Sequence, residues 1–422
     1  MVTESFPLKE HSSWICCQIG AREHYAIPIS LHQEGQLSHL ITDAWVSPHS
    51  ELNYLPRVSA NLRGRYHSEL ADAKVSAFNY SLIAFELSQR LRVISGWQCT
   101  IARNNWFQKK AKAVLKKIAN QLSEPPVIFS YSYAALEIFR FAKEQGWKTV
   151  LGQIDPGIRE EELVIAEHER NPDLAPEWKP APPHYWHNWR EECQLADHIV
   201  VNSEWSRQLL QEAGIETEKC KIIPLVYTPP AEAQNFVQTY PDAFSPERPL
   251  RVLFLGQVIL RKGMAAVLEA IQILEGYPIE FWIVGSCQIN IPEDIQNHPQ
   301  VHWIGRIPRS KTAYYYQQAD VFLFPTLSDG FGLTQLEAQA WQLPIIASQN
   351  CGKVVTDGEN GWILSEVTGS AIAACLKKIS NYPDDLRQAS QTPESVRLKG
   401  ENFSLQETLN HLAFTKEDSR LT

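Results

Sequence analysis

The apolar positions of this chain follow two rhythms. Short apolar runs, stopped by Gly, Pro or Asp, alternate with longer stretches in which apolar residues recur every three or four positions. A bounded short run reads as a buried strand, and the longer period reads as a helix with one face on a core. On this basis strands are expected at 14–19, 38–42, 127–130, 148–151, 198–201 and 221–224. A second set is expected at 251–255, 281–284, 301–304, 321–324, 345–347 and 362–364. Helices are expected at 28–32, 77–94, 107–122, 133–145, 204–213, 264–274 and 311–318, with one more from Leu333 that Leu343-Pro344 closes. Its apolar face would carry Leu333, Leu336 and Ala340. A last helix near 404–414 could cross back to the first half of the chain.

Repeated strand–helix units imply parallel sheets, and 422 residues are too many for one core. The stretch 229–249 holds Pro229, Pro230, Pro241, Pro246 and Pro249 and little apolar period, which marks a boundary. The expected architecture is therefore α/β, with two doubly wound domains at 1–228 and 250–400 facing a central cleft. Residues 44–126 interrupt the alternation as a long insertion.

A net charge of −9 argues against a general nucleic-acid binder. The eight cysteines lack C-x-x-C spacing and read as reduced thiols, neither disulfides nor zinc ligands. The chain starts without a basic-then-apolar leader and has no run of eighteen apolar residues, so a cytoplasmic protein is expected. The 107–122 helix pairs its apolar stripe with Lys109, Lys110, Lys112, Lys116 and Lys117. That face is either solvated or rests on an anionic membrane surface. The membrane reading would make the protein peripheral and its acceptor lipid-linked.

The chemistry concentrates in two loops. One follows the 321–324 strand and places Asp329, Gly330 and Gly332 just ahead of a helix, with Glu337 in that helix's second turn. Glycines let backbone N–H groups approach a ligand closely, and a helix start attracts phosphate. Carboxylates are good acceptors for sugar hydroxyls, so the loop suits a phosphate ester of a sugar. The other loop runs from Gly256 to Gly263 and carries the adjacent cations Arg261 and Lys262, a phosphate site. In the first half, Arg22 and His24 follow the first strand and Asp155 follows the fourth, where an acceptor would sit. Each has an ordinary reading too: a loop ion pair and half-buried His, and an Asp-Pro-Gly turn.

The run Asp329-Gly330-Phe331-Gly332-Leu333-Thr334-Gln335-Leu336-Glu337-Ala338 resembles the Glu-Gly-Phe-Gly-Leu-Pro-x-Leu-Glu-Ala signature of the family-four retaining glycosyltransferases, with Asp329 for Glu and Thr334 for Pro. The 256–263 loop is similar to the family's Gly-Arg-x-x-x-x-Lys-Gly, with Gln257 in place of Arg and Arg261 beside the matching Lys262. Residues 196–206 and 222–225 also resemble the family, although Val226-Tyr227-Thr228 replaces its usual Gly-Val-Asp. The likeness covers 196–365 well and 1–195 loosely.

This resemblance implies the GT-B fold, Rossmann-like acceptor and donor domains, and transfer of a hexosyl unit from a nucleotide-diphosphate sugar to an acceptor hydroxyl with retention. It implies Lys262 and Arg261 on the diphosphate, Asp329 on the donor sugar and Glu337 on the ribose. Gly256, Gly330, Phe331, Gly332, Leu333 and Thr334 would line the donor. By its position after the 301–304 strand alone, Arg306 is either near the base or simply exposed. Arg22, His24 and Asp155 would face the acceptor, a sugar or a lipid-linked group. No Asp-x-Asp element is present, so no metal and no cofactor are expected. A nucleotide-sugar epimerase, a sugar phosphorylase or a non-catalytic nucleotide-sugar-binding protein could use the same cleft.

Overall fold

Trp14, Ile15, Cys16 and Cys17 are all fully buried, as a strand covered on both faces of a parallel sheet must be. That strand lies inside the first of two sheets in the computed structural model, which describes residues 13–54, 62–391, Leu409 and Leu412. The first sheet comprises β1 (Trp14–Gln18), β2 (Leu37–Thr42), β3 (Val75–Ala77), β4 (Val127–Tyr131), β5 (Lys148–Gln153), β6 (His198–Val201) and β7 (Cys220–Ile222). Its order is β3-β2-β1-β4-β5-β6-β7. The second comprises β8 (Leu250–Leu255), β9 (Ile279–Val284), β10 (Val301–Gly305), β11 (Val321–Phe324), β12 (Ile345–Ala347) and β13 (Gly361–Ile363), in the order β10-β9-β8-β11-β12-β13. Every paired strand is parallel.

Both sheets reverse their direction of growth once, between β1 and β4 and between β8 and β11. Loops leaving the carboxyl ends of strands part company at such a point and leave a crevice. The second core follows its sequence pattern closely. Met264, Val267, Leu268, Ile271 and Leu274, the predicted helix face, are all 0–4% exposed and share one cluster with Ile372, Leu376 and Ile379 of helix Gly369–Asn381. Phe244 joins that cluster, and Arg248 makes two bonds of 2.6–2.7 Å to buried Asp320, so the proline-rich stretch packs on the second sheet.

Several elements differ from expectation. The short strand β3 lies inside the supposed insertion, and its residues are only half-buried, which weakens the apolar signal. The 77–94 helix is trimmed to Asn79–Leu91, while the 107–122 helix begins at Gly96. Its stripe of Phe107, Ala111, Leu115 and Ile118 is buried as predicted. The 133–145 helix starts at Leu136, because Tyr133 takes a left-handed φ of 73°. Helices Ile158–Arg170, Pro183–Leu195, Gly369–Asn381 and Pro383–Ser390 were not anticipated. The first two bury few apolar side chains and mix Trp, Glu and His, so their period is faint. The apolar stripe of Leu333–Ala340 is also a correction. Its buried residues are Gln335, Ala338 and Gln339, because this helix uses a glutamine to hold the loop before it. Most of the expected 404–414 helix lies outside the described residues; Leu409 and Leu412 are buried in the cluster formed by Trp14, Tyr25 and Phe129.

Candidate active site

Loops after β8 and β11 are neighbours because those strands pair at the reversal point. This joins groups 67 residues apart in the chain. Leu327 N–H donates to Arg261 O at 2.8 Å, and the Arg261 guanidinium donates back to Ser328 O at 2.9 Å. The Lys262 ammonium pairs with Asp329 and lies 5.1 Å from the centre of the Phe324 ring. Gly263 adopts φ +77°, and a Cβ there would come 1.9 Å from Pro325 O, so only glycine brings the two loops this close.

Burial would raise the Asp329 carboxyl. Lys262, Arg261 and the Phe331 N–H outweigh it and hold the group below its ordinary range. A half-buried anion is thus kept charged by two cations that a diphosphate would also attract. Gly332, at φ +89°, ends the loop at the start of helix Leu333–Ala340, and a Cβ there would meet the Phe324 ring at 2.5 Å. Gln335 donates to Phe331 O at 2.9 Å and fixes this turn. The first turn of the helix supplies N–H groups that lack an intrahelical partner.

Glu337 is 12% exposed and accepts from Tyr316 OH at 2.9 Å and from Arg309 Nη2 at 3.3 Å. Arg309 Nη1 also reaches the His24 ring at 2.7 Å, crossing from the second domain to the first. Burial, Arg309 and His67 all lower the His24 pKa, so its neutral ring accepts that contact. His24 follows Glu23 and precedes Tyr25, and all three take left-handed φ angles of 49–64°. Three such residues in succession are costly, and no glycine or asparagine announces them. Glu23 is held by Tyr131 OH at 3.1 Å and Asn202 Nδ2 at 3.0 Å, while Arg22 lies over the Tyr131 ring at 5.8 Å.

The domains also meet at the glycine loop. A Cβ on Gly330 would fall 2.2 Å from Ile154 O. Ser206 Oγ donates to Gly330 O at 3.3 Å, and Trp205 Nε1 to Ser328 Oγ at 3.0 Å. The 196–206 run therefore docks the glycine loop of the other domain. Asp155 keeps its turn role: Oδ1 accepts from Gly157 N at 2.9 Å, Gln153 Nε2 at 3.0 Å and Tyr133 OH at 2.5 Å. It also faces the cleft, close enough to raise the pKa of Arg261.

Sequence reasoning missed Glu160, whose Oε1 lies 3.5 Å from Arg261. Burial pushes its carboxyl up to about 8, Arg261 opposes this, and Asp155 and Asp329 add to it. Its helix carried no motif, so only the folded arrangement exposes it. Among the predicted donor residues, Gly256 is pinned by Gly285, whose Cβ would lie 1.6 Å from Gly256 O; Thr334 O accepts weakly from Tyr316 OH at 3.4 Å. Gln257 is exposed, and Arg306 lies in the exposed rim after β10. Leu333 reaches the first domain, in a small cleft with Glu23, Asn202 and Pro224. Among the described residues, no three His, Cys, Asp or Glu side chains gather as a metal site.

Residues 249–381, the stretch that contains both loops, match the family model for group 1 glycosyl transferases. The second domain is a group 1 glycosyltransferase domain. The chain is 28% identical over 138 residues to the capsular polysaccharide biosynthesis glycosyltransferase CapM of Staphylococcus aureus, covering 30% of this chain and 36% of CapM. It is 26% identical over 203 residues to the amylovoran biosynthesis glycosyltransferase AmsK of Erwinia amylovora, covering 44% of this chain and 48% of AmsK. The matches thus span half or less of these relatives' length. The crystal structure of Anabaena HepE in complex with UDP superposes with a TM-score of 0.55 and 13% identity, over 91% of this chain and 93% of that one. The chain therefore has the GT-B fold, with two Rossmann-like domains across a cleft.

Proposed function

We propose that this glycosyltransferase moves a hexosyl unit from a nucleotide-diphosphate sugar to an acceptor hydroxyl, with retention at the anomeric carbon and without a metal ion. The observation that carries the reading is the meeting of Arg261-Lys262 with the Ser328–Gly332 loop around one half-buried carboxylate. An arriving diphosphate would compete with Asp329 for Lys262, leaving Asp329 free to accept from donor-sugar hydroxyls. Glu337, on the same helix, would take the ribose hydroxyls.

As the bond from the anomeric carbon to the phosphate oxygen breaks, its electron pair stays on the diphosphate. Lys262, Arg261 and the helix N–H groups near Leu333 would stabilise that charge where it develops. The acceptor oxygen forms the new bond on the face the phosphate leaves, and its proton passes to the departing phosphate oxygen. This accounts for retention without a separate enzymic base. Contacts between His24 and Arg309 and between Ile154 and Gly330 would hold the domains closed and exclude water.

A thermal-shift screen of UDP-, GDP- and ADP-sugars, repeated on Lys262→Ala, tests this. UDP-sugars come first, because the Anabaena structure of the same fold holds UDP. Stabilisation in the wild type and its loss in the variant are expected, and equal shifts in both would overturn the site. Turnover of donor without acceptor would mark an epimerase, and dependence on inorganic phosphate a phosphorylase. The exposed Lys109, Lys116 and Lys117 fit contact with an anionic membrane from the cytoplasmic side, which co-sedimentation with anionic vesicles would test. No helix among the described residues is long and apolar enough to cross a membrane.

A further inference from the structure

Beside Arg261, the two domains line a half-open pocket of about 260 Å³, at the small end for ligand pockets. The first domain gives it an aromatic wall. Tyr133 and Tyr185 stack with centroids 4.9 Å apart and planes within 15°. Trp97 tilts onto Tyr185 at 4.9 Å, and Trp186 meets Tyr185 edge-on at 5.2 Å. Residues 259–261 and Gln288 close the opposite side from the second domain.

The charge on this lining is lopsided. Asp155, Glu160 and Glu161 contribute carboxyl groups, and Arg261 is the one Lys or Arg side chain among the lining residues. Arg261 is already engaged by Glu160 and Ser328 O. Glu160 Oε2 is buried and has no hydrogen-bond partner, so it is a polar atom waiting for one. Burial raises the Glu160 pKa against the pull of Arg261, which favours the protonated carboxyl, and that form both donates to and accepts from a hydroxyl.

A pyranose ring offers apolar C–H faces and a rim of hydroxyls. An aromatic wall with carboxyl groups at its edge matches both, while a phosphate or carboxylate on the ligand would meet like charge. The geometry points to this cavity as the acceptor site, taking an uncharged pyranoside whose ring lies on the Tyr133–Tyr185 wall and whose hydroxyls reach Asp155 and Glu160. This assignment rests on the glycosyl-transfer reading. It places the acceptor next to Arg261 and one residue from Lys262.

Saturation-transfer NMR on the full chain saturated with UDP tests it. The probes are the methyl glycosides of glucose, galactose, mannose and N-acetylglucosamine, with glucose 6-phosphate as the anionic counterpart. At least one neutral glycoside is expected to receive saturation and glucose 6-phosphate to fail to displace it. Tyr185→Ala and, separately, Trp97→Leu should weaken that glycoside about tenfold. Unchanged UDP binding in each variant shows that it is folded. Silence from every neutral glycoside while UDP binds would overturn the acceptor assignment and leave the donor site standing. Tighter binding of glucose 6-phosphate, or equal glycoside binding in both folded variants, would also overturn it. Failure of UDP to bind the wild type would instead count against the glycosyl-transfer reading itself.

Discussion

The two sides of the cleft are built by different means. On the donor side, backbone geometry does most of the positioning. Gly263, Gly330 and Gly332 each stand where a Cβ would strike Pro325 O, Ile154 O or the Phe324 ring, and the charged side chains follow from that tight path. On the acceptor side, the cavity is assembled from side chains at positions 97, 133, 155, 160, 185 and 186, which lie on separate helices and loops. A backbone-built site leaves a contiguous signature, because its glycines cluster within two short loops of the chain. A site gathered from distant side chains leaves none, and its residues can change one at a time with the ligand.

That contrast can be broken most forcefully at Lys262. Lys262→Ala removes the cation facing the leaving diphosphate and strands the half-buried Asp329 charge. A fall in kcat of about a hundred- to thousandfold is expected from steady-state turnover of the responding nucleotide sugar. A fall of less than threefold would mean that the cation sits off the reaction path. Gly330→Ala is next. Its Cβ must displace Ile154 O or open the domains, so destabilisation of about 1–3 kcal/mol in urea unfolding is expected, with reduced turnover. Wild-type stability would show that this contact forms only weakly in solution.

Glu337→Gln tests the ribose role. It keeps the shape and loses the charge, so KM for the donor should rise about tenfold with kcat little changed. An equal loss in kcat would move Glu337 into the chemical step. The smallest effect belongs to Glu160. Its folded pKa, about 8, exceeds the 4.5 of an ordinary Glu, so the native state holds a proton that the unfolded chain releases across that interval. Its contribution is fully present below pH 4.5 and is lost as pH rises towards 8. Thermal melts from pH 5 to 8 should therefore show a shallower decline in Tm for Glu160→Gln than for wild type. Parallel curves would remove Glu160 from the set of buried, proton-holding acids.

Apart from β3, the strands of both sheets could be read within a few residues, because apolar runs in a parallel sheet are buried on both faces. β11 and β12 matched their expected limits, and β8 was off by one residue. The donor loops could be read for the same reason as their strands: local constraint. Helices 158–170 and 183–195 could not, since they spend their Trp, Tyr and Glu residues on the cavity and on interdomain contacts instead of a regular apolar stripe. His24 was singled out by its position after β1 alone, and its partner Arg309 lies 285 residues away. Nothing in either segment's pattern ties the two together. The glutamine-bearing buried face of Leu333–Ala340 inverted a simple apolar reading because polar support of the loop outweighed burial there.

The most direct test of the shared diphosphate site is a crystal structure of the full chain with UDP. The β-phosphate should lie within hydrogen-bond reach of Lys262 Nζ and the N–H groups at Leu333, with the ribose on Glu337 and Asp329 released from its lysine. A diphosphate bound in another cleft, with Lys262 still paired to Asp329, would contradict the account.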